Sequence, residues 1–132
     1  MKIINGENAI LGRLASYVAK ESLKGEEFVI LNCKKIIITG NRKDIEKEFR
    51  EKREKMGSGQ RGPKHSRITY KIVKRTIKGM LPDNRNERGK DALKRIICYN
   101  DTPKEFENKK MISAGKEKGD KFIFVGDISK WK

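Results

Sequence analysis

An α/β fold built on parallel strands is what this sequence of 132 residues predicts, and three observations predict it. The runs Phe28–Leu31 and Ile36–Ile38 are apolar without alternation, the pattern of strands covered by helices on both faces. Between an earlier strand and these runs lies a segment whose apolar residues recur at helical spacing. The order strand, helix, strand then implies a right-handed parallel unit. At this length one core and one domain, residues 1–132, are expected.

Met1-Lys2-Ile3-Ile4 reads as the first strand, broken by the turn residues Asn5-Gly6-Glu7-Asn8. From Leu11, the residues Leu14, Ala15, Val18 and Ala19 mark the buried stripe of a helix that Gly25 stops. After the two apolar runs and Thr39-Gly40-Asn41, Lys43 to Lys55 is almost wholly charged, with Ile45, Phe49 and Met56 as a narrow apolar stripe. Acids and bases alternate there at three- and four-residue spacing, so this helix is read as solvated and held by its own ion pairs. Gly57 to Pro63 holds three Gly and a Pro in seven residues and reads as a loop, basic and Gly-rich over about 57–66.

Ile68 to Leu81 is the most informative stretch. At about 100° per residue, Ile68, Ile72, Val73, Ile77, Met80 and Leu81 share one arc. Arg67, Lys71, Lys74, Arg75 and Lys78 fill the rest. From Lys55 to Pro82 there are eight Lys or Arg and no Asp or Glu, so no neighbour in the chain quenches that arc. Asp83 to Arg88 follows as a turn, Gly89 to Lys94 as a short helix, and Ile96 to Tyr99 as a strand. Thr102-Pro103 opens a helical turn carrying Phe106. Residues 108–121 are expected to form an exposed, mobile arm, Phe122 to Val125 a last strand, and Trp131 to lie near a frayed end.

The 33 Lys and Arg against 18 Asp and Glu give a net charge of +15, which repels itself unless an anionic partner neutralises it. No run of about 18 apolar residues, signal peptide or lipidation motif points to a membrane, so nucleic acid is the expected partner. Cys33 and Cys98 stand 65 residues apart without a CxxC pair, and His65 is the only imidazole. These are too few soft ligands for a zinc site, so two buried thiols in a reducing, cytoplasmic compartment are expected. Gly57, Gly59 and Gly62 satisfy G-x-G-x-x-G, but they follow a charged helix and not a strand, and Pro63 stands where a Walker A loop needs Lys. His65 and Ser66 are adjacent in sequence, which rarely aligns a nucleophile with its base. No cofactor, metal, catalytic residue or small-molecule substrate is expected.

Arg61, Lys64, Arg67, Lys71, Lys74, Arg75 and Lys78 are the candidate phosphate contacts, because neutralising several phosphates releases counterions and so drives binding. Gly12, Gly40 and Gly79 are expected to shape turns. The aromatics form no exposed ladder, which favours recognition of folded RNA by shape and backbone. Two rivals remain at this point. A small α/β enzyme would use the Gly loop as a cofactor cradle, and a general nucleic-acid chaperone would not associate stoichiometrically with one particle.

Several strings, in order and at matching spacing, resemble the L-thirteen family of large-subunit ribosomal proteins. They are Asn5 with Ala9-Ile10-Leu11-Gly12-Arg13-Leu14-Ala15-Ser16, Val29-Ile30-Leu31-Asn32, Ile38-Thr39-Gly40, Arg75 to Pro82, and Gly89 to Arg95, spanning about residues 2 to 103. The style of the second half resembles archaeal members more than bacterial ones. The Met56 to His65 loop and the segment after Pro103 depart from the family pattern. The resemblance implies a three-layer α/β/α domain around a mostly parallel four-stranded sheet, bound in the cytoplasm to large-subunit ribosomal RNA and neighbouring ribosomal proteins. It implies Arg75 and Lys78 as RNA-facing cations and adds Arg13 as their counterpart on the first helix.

Overall fold

A computed structural model of the chain describes residues 1–55, 59, 65–83, 85–115 and 119–129. Its centre is a four-stranded, wholly parallel sheet of β1 (Lys2–Asn5), β2 (Phe28–Leu31), β4 (Ile96–Cys98) and β5 (Ile112–Ser113), in the order β4-β2-β1-β5. β1 and β2 pair Ile3 with Val29 and Ile4 with Ile30, and β2 and β4 pair Ile30 with Cys98. All four residues of β2 are buried because it lies inside the sheet with both faces covered. Phe28 and Ile30 face one cluster, while Val29 and Leu31 face a smaller one with Ile3 and Phe106.

The larger cluster is roofed by helices. α1 (Leu11–Leu23) buries Leu11, Leu14, Ala15, Val18 and Ala19, the stripe its spacing predicts. Against it pack α3 (Thr69–Met80) and α4 (Glu87–Lys94), and α1 with α3 is the most extensive helix pair. Fully burying each of Val18, Val73 and Ile77 contributes roughly 1.5–3 kcal/mol. The opposite face has a thinner cover, with Phe106 from the 3-10 turn Lys104–Phe106 as its buried anchor and Tyr99 and Met111 at its side. α2 (Arg42–Glu54) contributes Ile45 to the main cluster, with Phe49 packed beside it.

Two strands differ from expectation. β3 (Ile37–Thr39) lies outside the main sheet and pairs antiparallel with β6 (Phe122–Phe124). The fourth strand of the main sheet comes from the segment read as an arm: Ile112 and Ser113 pair with Ile4 and Asn5. Their side chains are exposed, as an arm's would be, but the backbone is tied down. Ile10 N donates to Gly115 O at 2.8 Å, and Gly115, at φ +70°, sits so close to Leu14 N and Ile10 O that a side chain there would press on the start of α1. Val125, assigned to the last strand, instead opens a short helix, α5 (Val125–Ser129). Trp131 and most of the Gly-rich loop lie outside the described residues.

The expected turn glycines divide. Gly40 does turn the chain, at φ +132°, but Gly12 and Gly79 are helical residues of α1 and α3. The tightest glycine is Gly89, buried in α4 where an added Cβ would overlap the Pro82 carbonyl. Cys33 and Cys98 are both buried free thiols. Their mutual hydrogen bond, then burial, pushes the Cys33 thiol far above its usual range.

Candidate nucleic-acid interface

Two helices, α2 with six Lys and Arg and α3 with four, handle their positive charge in opposite ways. On α2 the charges pair along the helix: Arg42 Nε lies 3.0 Å from Glu46 Oε1, Lys52 Nζ 2.6 Å from Glu48 Oε1, and Lys47 Nζ 4.0 Å from Glu51 Oε1. This is the self-neutralised helix that the four-residue spacing predicts.

α3 is anchored before its charges matter. Ser66 Oγ accepts from Ile68 N at 3.1 Å, and Asn100 Oδ1 accepts from Tyr70 N at 3.0 Å, satisfying amides at the helix start. Thr69, Ile72, Val73 and Ile77 are buried against the core. Ile68 and Met80, read as part of the same apolar arc, lie just before the helix and at its last residue and stay 42% and 45% exposed. The core side being occupied, Arg67, Lys71, Arg75 and Lys78 face solvent, with Lys74 half-buried at their edge. Among the described residues, Arg67, Lys71, Lys74 and Lys78 belong to no ion pair, since the described pairs all lie elsewhere.

Three hollows flank this crest. Between α2 and α3, a space of about 230 Å³ is lined by Phe49, Lys52, His65, Arg75, Thr76 and Gly79. There Arg75 Nη2 lies 3.4 Å from His65 Nε2. Burial first, then the cations Arg75, Lys52, Arg53 and Lys55, hold the His65 imidazole below its usual pKa, so it stays neutral at pH 7. At the end of α3, about 460 Å³ is bounded by Arg75, Lys78, Gly79, Leu81, Pro82 and Asp83. Asp83 turns its Oδ1 to the Arg85 amide, 3.3 Å away, and forms no pair with Lys78. Between α3 and α4, Lys74, Lys90, Leu93 and Lys94 line about 270 Å³.

The structure therefore brings Arg67, Lys71, Lys74, Arg75 and Lys78 onto one surface. Arg13 stands apart, exposed in the first turn of α1 beside Gly115 and outside all three hollows. Arg61 and Lys64 lie outside the described residues. Lys90 and Lys94 join the surface although sequence reasoning did not single them out; their spacing of four on a short helix was the available signal. Among the described residues, no group of three or more His, Cys, Asp or Glu could hold a metal ion, and no helix is long and apolar enough to cross a membrane.

Comparison with known proteins identifies a family. The family model described as Ribosomal protein L13 matches residues 1–105. Among curated proteins, the large ribosomal subunit protein uL13 of Methanocaldococcus jannaschii is 43% identical over 133 aligned residues, covering 98% of this chain and 96% of that protein. Its counterparts in Thermoplasma acidophilum and Picrophilus torridus are 39% and 41% identical, again over 98% of this chain and over 96% and 95% of theirs.

Proposed function

Because the chain belongs to the ribosomal protein L13 family, a family of structural, non-enzymatic proteins, we propose that it is a constituent of the large ribosomal subunit that binds ribosomal RNA and supports subunit assembly. Its partners are ribosomal RNA and neighbouring large-subunit proteins, and its place is on ribosomes in the cytoplasm. The observation that carries the reading is the crest of α3, where Arg67, Lys71, Lys74 and Lys78 have no carboxylate partner among the described residues while α2 neutralises itself.

An acid-free ridge fixed on a rigid core suits a phosphate backbone, because its cations are already positioned and give up only their counterions on binding. Lys side chains act there as point charges, so affinity follows the shape and charge of folded RNA more than its base sequence. Arg13 is part of the proposal as a separate contact on α1, and Arg61 and Lys64 as contacts from the loop before α3. Residues 1–132 would act as one domain.

Sedimentation of a lysate through a sucrose gradient tests this reading. The chain is expected in the large-subunit and ribosome fractions at one copy per particle, resistant to a moderate salt wash. Recovery at the top of the gradient, or in amounts that follow total RNA, would instead indicate a general nucleic-acid chaperone.

A further inference from the structure

We propose that the hollow between α3 and α4 holds a single RNA phosphate and carries the contact from the crest of α3 onto α4. The inference rests on RNA binding by α3 and adds two residues, Lys90 and Lys94, that lie beyond the acid-free stretch. Lys74 of α3 and both α4 lysines line one open space of about 270 Å³, with Leu93 as its apolar wall. Lys90 and Lys94 are exposed and four residues apart, so they share a face of α4, and Lys74 stands half-buried on the side of α3 that meets them.

The three lysine side chains that line this space carry like charges, which repel one another. α4 opposes them with one ion pair, Asp91 Oδ1 at 3.7 Å from Lys94 Nζ, and both partners are more than half exposed, where such a pair is worth little. Lys74 and Lys90 belong to no described ion pair. A phosphodiester placed here presents two unesterified oxygens to these donors, and the Leu93 wall excludes water from one side, which strengthens the attraction.

The spacing is set by the core and not by the ligand. Gly89 lies against the Pro82 backbone and Ala92 is fully buried, so α4 is docked before RNA arrives. Three lysines that share one phosphate differ measurably from three that hold one each, because the salt slope counts phosphates neutralised, at about 0.9 per phosphate on duplex DNA and about 0.7 on single strands.

The test is salt-dependent binding of the full chain to a large-subunit ribosomal RNA fragment. K74A/K90A/K94A is expected to lower the slope of log affinity against log salt by about one unit, with each single variant giving only part of that loss. A loss near three units, or none, would overturn the single-phosphate site. R67A/K71A measured alongside separates the two claims: if it weakens binding while the triple variant does not, α3 binds RNA and the α4 site is wrong. Should the triple variant unfold, amide shifts of the unmodified protein on adding RNA decide instead. Lys74, Lys90, Leu93 and Lys94 are expected to move together, and their standing still would refute the site.

Discussion

α2 and α3 are both basic, exposed helices of nearly equal length, yet one is closed electrostatically and the other is open. On α2 each acid stands within a turn of a base, and the ion pairs run along the helix. On α3 the first turn holds no acid, every charged residue is a cation, and the apolar arc is pinned to the core by Ile72, Val73 and Ile77. The lesson is that net charge does not locate a binding surface. What locates it is charge left without a partner on an element too well packed to rearrange.

The largest expected effect attacks that difference directly. R67A/K71A/K78A should weaken binding to a ribosomal RNA fragment by on the order of a thousandfold at 0.1 M salt, about tenfold per lost phosphate contact, as read by filter binding. Next comes the packing beneath the crest. Ile77→Ala should destabilise the fold by about 2–5 kcal/mol in urea unfolding, because Ile77 is fully buried and leaves a cavity. Phe49→Ala on α2, only half-buried, should cost clearly less. Smaller again is the α2 control: K47A/K52A should lower stability by only a few tenths of a kcal/mol per lost pair.

The smallest effect is a pH dependence at His65. In the free protein burial and the surrounding cations hold its pKa below 6.5, so the unfolded chain takes up the proton more readily and the free fold loses stability as pH falls through 6.5. A phosphate bound beside Arg75 reverses the local field and raises that pKa. Binding then takes up a proton, and affinity should rise a few-fold from pH 7.5 to pH 5.5. His65→Ala should flatten that profile, measured by fluorescence anisotropy; an unchanged profile would remove His65 from the interface.

Much of this was legible in the residues. The buried stripe of α1, the unalternating apolar run of β2 and the acid-free arc of α3 each follow from local spacing, and the structure keeps all three. The exchange of partners between strands was not legible. Ile112 and Ser113 make too short a run to read as a strand, and only Ile4 and Asn5, more than a hundred residues earlier, give them a ladder. β3 was apolar enough for the main sheet, and its pairing with β6 is decided by tertiary contact that no local pattern encodes. The site divides in the same way. The ridge of α3 is periodic and visible, whereas Lys90 and Lys94 become part of the surface only when Gly89 lets α4 dock beside Pro82 and Lys74.

The most direct test compares two variants that remove the same charge from different places. R42A/K43A/K47A on α2 and R67A/K71A/K78A on α3 and the residues leading into it each delete three positive charges, and the salt slope of ribosomal RNA binding is measured for both. The α3 variant is predicted to lose about three units of slope and the α2 variant well under one. Equal losses would mean that RNA responds only to total charge, and the distinction between an open and a closed helix would be wrong.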